Sequence, residues 1–249
     1  MRGHIGFIAL GVLFVGAAVY GFMPGSSGDT TNRAEPSAST SVASNSESTR
    51  EGLSEKPAPQ ADFDFYVLAL SWSPTFCQDA GAGRNRYQCG RDKQFGWVVH
   101  GLWPQYEQGY PESCDTSQPR QVPEGVGRRV MDIMPGMGLI GHQWRKHGTC
   151  SGLAMRDYFD LVREARQTVR IPPDFDDVNR QTRTSPEAIE AAFIKNNPGL
   201  TRSGVAVTCD RERLDEVRIC LTTDLGFRAC PEVDGRSCRR SQITIPPVP

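Results

Sequence analysis

Apolar residues open the chain as one block and then return in short, spaced runs. Positions 5–23, IGFIALGVLFVGAAVYGFM, carry no charge, follow Arg2 and His4 and end among small residues near Val19-Tyr20-Gly21. A charged start, an apolar stretch and small residues are the parts of a secretory signal, yet the run is nearly long enough to cross a hydrocarbon layer of roughly 30 Å. Residues 1–23 therefore read as a signal peptide or as an uncleaved membrane anchor, and both stay open. Residues 24–61 are rich in Ser, Thr, Ala, Pro and Gly, with Leu53 the only leucine. They bury too little apolar surface to offset the entropy of ordering and read as a disordered linker.

Periodic patterns begin at Asp62. FYVLAL at 65–70 predicts a buried strand that ends at the turn-prone SWSP, and 95–102, which contains WVVHGL, predicts a second. On that second strand Val98, His100 and Leu102 would face one side and Trp97, Val99 and Gly101 the other, which puts His100 on a rigid surface. Short helices are predicted over 124–134 and 137–146, parted by Pro135-Gly136. A longer amphipathic helix is predicted over 153–169, with Leu153, Tyr158, Leu161, Val162 and Ala165 on its apolar side. Ser185-Pro186-Glu187 supplies a cap, a first-turn proline and an acid ahead of AIEAAFIKNN, and Pro198-Gly199 stops that helix. Strands are predicted again at 205–209, 214–221 and 243–245. Strands that bracket a helical middle favour an α+β fold, an antiparallel β-sheet packed with several α-helices in a single domain over 62–249.

Two compositional features sharpen this. Eight cysteines, at 77, 89, 114, 150, 209, 220, 230 and 238, all lie in the domain, and none forms a C-x-x-C pair. With an export segment upstream they predict a disulfide-stapled fold, although eight cysteines allow 105 connectivities. Of 28 Lys and Arg and 29 Asp and Glu, four basic and five acidic residues precede Asp62, which leaves 24 of each. A neutral domain does not hold a polyanion by a broad basic surface, so any such substrate must meet a local cluster.

That cluster is visible in the histidines. Three of the four in the chain fall in WVVHGLWPQ (97–105) and HQWRKHGTC (142–150), each fenced by tryptophan and glycine. On a helix advancing 100° per residue, Lys146 lies about 40°, Gln143 about 100° and His147 about 140° from His142, while Trp144 and Arg145 point away. Gly148 would stop the helix, and the helix terminus would raise the pKa of His147 slightly. Two or three imidazoles with a lysine suit attack of a ribose 2′-hydroxyl on the adjacent phosphodiester, which needs a base, an acid and a cation beside the developing charge. Tryptophan faces offer stacking surfaces for unstacked bases.

The segments WVVHGLWP at 97–104 and HQWRKHGTC at 142–150 resemble the two active-site segments of the ribonuclease T2 family, and FYVLALSWSPTFC, LDEVRIC and ITIPP are also similar to family patterns, so the likeness spans 62–249. It implies a monomeric endoribonuclease that cleaves single-stranded RNA through a 2′,3′-cyclic phosphate, with no metal and no cofactor. By position it implies His147 as general base, His100 as general acid, His142 on the phosphate and Lys146 at the transition state. Trp103 would stack a base and Gln105 would contact it. Gln143 stands where many members carry glutamate, a departure that predicts a lower pKa for His147 than in a glutamate-bearing relative. The resemblance further implies disulfides Cys77–Cys89, Cys114–Cys150, Cys209–Cys238 and Cys220–Cys230, the second tying the helix to the His100 strand. Localisation would be periplasmic or extracellular, tethered if residues 5–23 persist. Two competing readings are a non-catalytic RNA-binding or effector protein that keeps the fold, and a zinc hydrolase in which His142, His147 and Cys150 hold the metal.

Overall fold

Eight consecutive residues, Phe65–Trp72, all buried except the half-buried Ser71, form the strand around which the sheet is built (β1). The computed structural model describes residues 62–80, 85–90 and 92–249, and the expectations for 1–23 and 24–61 lie outside these. After β1 come helices Ser73–Ala80 (α1) and Arg86–Cys89 (α2), strand Trp97–Gln105 (β2), and helices Glu124–Gly127 (α3), Met137–Lys146 (α4) and Met155–Thr168 (α5). Strand Thr182–Thr184 (β3), helix Pro186–Asn196 (α6), strands Val205–Asp210 (β4) and Arg213–Leu221 (β5), helix Pro231–Asp234 (α7) and strand Ile243–Ile245 (β6) complete the order.

The sheet runs β2-β1-β5-β6-β3, with β4 also paired to β5. All pairs are antiparallel except β5 and β6, which meet in parallel at Arg213 and Thr244, so the sheet is mixed at this one point. One face carries the main core. Tyr66, Leu68, Leu70 and Trp72 of β1 join Val217, Ile219 and Leu221 of β5 against Tyr158, Phe159 and Val162 of α5, Ile189 and Phe193 of α6, and Trp144 of α4. The other face buries a smaller group, Phe65, Val67, Ala206, Cys220, Cys230 and Val233, and beyond it lies open cleft. Three aromatic polar groups at the edge of the main core find partners. Tyr158 Oη donates to the Leu102 carbonyl at 2.8 Å, and Trp72 and Trp97 donate to the carbonyls of Pro246 and Phe175 at 2.9 and 2.7 Å.

Simple alternation fails where it matters most. The β1–β2 register passes from Ala69↔Gly101 to Leu70↔Val99, so His100 has no partner of its own. This β-bulge shifts the parity of β2. Leu102 joins Val99 in the main core, whereas strict alternation predicts opposite faces, and His100, Trp103 and Gln105 are turned together to the cleft. A matching irregularity lies on β5, where Val207↔Val217 is followed by Cys209↔Leu214 and both Asp215 and Glu216 oppose Thr208.

Other differences have local causes. β1 passes directly into α1, where a turn is expected at SWSP; Pro74 lies in the first turn, where its missing N–H is not required. Only Glu124–Gly127 of 124–134 is helical. The rest is a series of tight turns because the Ile133 carbonyl accepts from Val99 N at 2.8 Å, which docks the segment on β2. α6 begins as expected, with the Ser185 side chain accepting from Ala188 N at 3.1 Å.

The cysteines pair as Cys77–Cys89, Cys114–Cys150, Cys209–Cys238 and Cys220–Cys230, the four pairs the resemblance implies. Cys114 lies in the loop after β2, not on it, so its bond clamps that loop to the turn that ends α4. Among the described residues no helix is long and apolar enough to cross a membrane, and no three potential metal ligands cluster.

Candidate active site

β2 and α4 deliver the predicted residues to one place. His100, Trp103 and Gln105 from β2 and His142, Gln143, Lys146 and His147 from α4 and its end line a single cleft of about 280 Å³. α4 ends at Lys146, and His147 occupies the capping position with φ −121°. Gly148 does not stop the helix with a left-handed turn; its lack of a side chain serves close packing, since a Cβ there would sit 2.8 Å from the Tyr158 ring. Trp144 is buried as expected and donates to the Pro119 carbonyl at 2.8 Å, and Arg145 is exposed.

The tryptophan and the glutamine act together. Trp103 Nε1 donates to Gln143 Oε1 at 2.9 Å, and this bond packs against the Cα of Gly101. A Cβ at 101 would overlap both bonded atoms and come within 2.8 Å of Gln143 Cδ. The Trp103 ring stacks on His147, centroids 5.3 Å apart and planes 27° from parallel, and meets the His100 ring edge-on at 5.3 Å. One indole thus spaces the two imidazoles, and a base can meet it only on what those contacts leave free.

His147 is almost fully buried, and burial is the main reason its pKa is pushed down to about 3, with the charges of Lys146, His100 and His142 adding to the effect. The helix terminus, which would act the other way, is outweighed. Its Nδ1 is buried with no hydrogen-bond partner among the described residues, so a charged ring would have to leave a buried N–H unpaired. His142 is more exposed; its pKa is lowered by partial burial and then by Lys146, Arg145 and His100. Lys146 Nζ lies 3.3 Å from Glu112 and 5.9 Å from the centre of the Tyr110 ring.

Several lining groups escape a reading of periodicity. Tyr110 sits on the loop after β2, held by Ser113 N donating to the Lys146 carbonyl at 2.8 Å and by the Cys114–Cys150 bond. Glu232 and Arg236 reach the cleft from α7 and its end, and Glu232 also accepts from Gly109 N at 2.6 Å. Glu216 of β5 bonds His100 Nδ1, and Arg218 donates to Glu216 Oε2 from Nη2 at 2.8 Å while its guanidinium lies 5.3 Å from the Trp103 ring centre. Burial acts to raise the Glu216 carboxyl, but the bond and charge of His100, followed by Arg218, override it and hold the pKa at about 2. The sequence does hold a signal for this pair, an acid and a base two positions apart on a strand whose alternate residues are apolar.

A second cleft, also about 280 Å³, lies beside the first and shares His100 and Arg218 with it; Ser71, Phe76, Asn85, Gln88 and Leu139 line its far side.

Comparison with known proteins places the chain in a family and identifies proteins of the same fold. A model of the ribonuclease T2 family matches residues 63–230. A ribonuclease of Aeromonas hydrophila is 45% identical over 106 residues, 43% of this chain and 46% of that protein. Ribonuclease I of Escherichia coli (strain K12) is 28% identical over 209 residues, 66% of this chain and 76% of that protein. The chain spans a little under half the length of the Aeromonas protein and of a probable ribonuclease of Haemophilus influenzae, 46% in each case. Among solved structures, ribonuclease NT in complex with 5′-AMP superposes with a TM-score of 0.57 at 25% identity, covering 75% of this chain and 99% of that one. The RNase-related protein from Calystegia sepium shares the fold, with a TM-score of 0.60 at 21% identity over 75% of this chain and 98% of that one. With the family match covering both histidine segments and the strand that bears Glu216, the chain belongs to the ribonuclease T2 family.

Proposed function

We propose that the protein is an endoribonuclease that cleaves single-stranded RNA by transphosphorylation, with imidazoles as both base and acid and no metal in the reaction. The observation that carries this reading is the cleft itself, where two histidines of unlike environment flank one indole and a lysine stands beside them. His147, neutral above about pH 3, is suited to take the proton of the 2′-hydroxyl. The 2′-oxygen then attacks phosphorus, the bond to the 5′-oxygen breaks, and His100 delivers a proton to that oxygen. The products are a 2′,3′-cyclic phosphate and a 5′-hydroxyl, and water opens the cyclic ester with the two histidines in exchanged roles. His142 and Lys146 face the phosphoryl oxygens, where fixed charge is worth most as negative charge builds up.

Two nucleosides flank the phosphate in this reading. The base on the 5′ side lies in the first cleft against Trp103 and Tyr110, with Gln105 as its polar contact, and the leaving nucleoside lies in the second cleft, across His100. Cys150, committed to a disulfide, is removed from any zinc-ligand set. The four disulfides support export to an oxidising compartment through residues 1–23, with 24–61 as a linker and 62–249 as the catalytic unit.

The test is product analysis of a dinucleoside monophosphate incubated with the purified protein in EDTA at mildly acidic pH. A cyclic phosphate with a free 5′-hydroxyl nucleoside is expected. Activity absent in EDTA and restored by zinc would overturn the reading.

A further inference from the structure

Among the described residues, Glu216 is the one carboxylate hydrogen-bonded to a proposed catalytic imidazole, and it is built in from three sides. Its side chain is 5% exposed. Oε2 accepts from Arg218 Nε and Nη2 at 2.9 and 2.8 Å, and Oε1 accepts from Ser71 Oγ at 3.1 Å and from His100 Nδ1. The contact with His100 bridges β1, which lies between β2 and β5, and it forms at the two positions where bulges break the sheet register. A charge present only to balance Arg218 would need neither bulge nor the second oxygen.

From this geometry we propose that Glu216 is a positioning residue for His100, fixing its ring and its tautomer so that Nε2 is the nitrogen that exchanges protons with the substrate. The inference rests on His100 being the acid proposed above. An ionised carboxylate only accepts hydrogen bonds, so Nδ1 carries hydrogen whether the ring is charged or neutral. In the first step the Nε2 proton passes to the 5′-oxygen as the P–O5′ bond breaks, and His100 is left neutral with a bare Nε2. In the second step the same Nε2 takes a proton from water as the new P–O bond forms, the P–O2′ bond breaks, and His147 returns its proton to the 2′-oxygen. Without Glu216 the neutral ring could hold hydrogen on either nitrogen, and only one tautomer would work.

The test compares two substrates in the full-length protein. A dinucleoside monophosphate leaves as an alkoxide that needs a proton; a nucleoside 3′-(4-nitrophenyl phosphate) leaves as a phenolate that does not. Glu216→Gln should lower kcat on the first by about 10- to 100-fold, a fraction of the 10²–10⁴ that a general acid contributes, with KM little changed, and should stay within about threefold of wild type on the second. His100→Ala should show the same substrate dependence more strongly, and the double variant should be no slower than His100→Ala alone. Equal losses of Glu216→Gln on both substrates, no loss on either, or fully multiplicative losses in the double variant would overturn the proposal. If His100→Ala itself loses equally on both substrates, the acid assignment fails instead. Should Glu216→Gln not fold, Ser71→Ala removes one bond to the same oxygen and should slow only the dinucleotide, by about threefold; an equal effect on both substrates overturns the proposal.

Discussion

Replacing Gln143 by glutamate tests how the environment tunes His147, the proposed base. Gln143 is buried, its Oε1 accepts from Trp103 Nε1 at 2.9 Å, and it lies four residues before His147 on the same helix end. Glutamate is nearly isosteric and still accepts that bond, so the indole should stay in place and only charge is added. Side chains four apart on a helix lie about 5–6 Å apart at Cβ. At roughly 6 Å and an effective dielectric constant near 20, a carboxylate stabilises an imidazolium by about 2.8 kcal/mol, or about two pKa units. Partial protonation of the new acid reduces this, so a rise of about one to two units from the starting value near 3 is expected. As the proposed base, His147 must be neutral to accept a proton, so activity should be lost as pH falls through its pKa, and a higher pKa should move the acidic limb to higher pH. The assay is kcat/KM for a dinucleoside monophosphate between pH 2.5 and 7, with circular dichroism at each pH to show that the chain is folded. An acidic limb that stays where it is in wild type would refute both the assignment of His147 as base and the claim that burial beside an uncharged Gln143 sets its pKa.

Three further outcomes follow from the same features. Gly101→Ala should force Trp103 and Gln143 apart, lower stability by about 1–3 kcal/mol and depress turnover, read by thermal melting and by rate; a variant with wild-type Tm would show that the Gly101 contact is not tight. His147, depressed to about 3 in the fold against about 6.5 unfolded, contributes stability that is complete above pH 6.5 and is lost as pH falls toward 3. Denaturant unfolding of His147→Asn should therefore show a shallower loss over that window than wild type, by a few kcal/mol, and identical slopes would count against it. Opening the Cys114–Cys150 bond by replacing both residues with serine should cost about 3–4 kcal/mol, from the entropy of closing a segment with separation 36, and should slow turnover by freeing the Tyr110 loop; unfolding and rate measurements on the non-reduced protein check both.

The sequence is legible wherever one residue's surroundings follow from local period. The buried run of β1 follows from an unbroken apolar stretch, the start of α6 from its Ser-Pro-Glu cap, and the face that presents His142, Lys146 and His147 from the helical spacing of 3.6 residues. What escapes depends on partners distant in the chain. The bulge at His100 is a property of pairing with β1, and no local pattern on β2 announces that Leu102 and Val99 share a face. Tyr110, Glu232 and Arg236 come from a loop and a one-turn helix, where periodicity carries no information. The slight rise in the pKa of His147 expected from the helix end is reversed, because a helix end is visible in the sequence whereas the depth of burial is set by packing around Trp103 and Gln143.

The division of β5 between its two faces also shapes how this protein can change. Val217, Ile219 and Leu221 report to the folding equilibrium, while Glu216 and Arg218, interleaved with them, report to the cleft. Variation at single positions can therefore alter durability and turnover as separate traits, and selection on one leaves the other largely free. A one-residue insertion or deletion in β2 or β5 has no such freedom, because it exchanges the faces and changes both traits together.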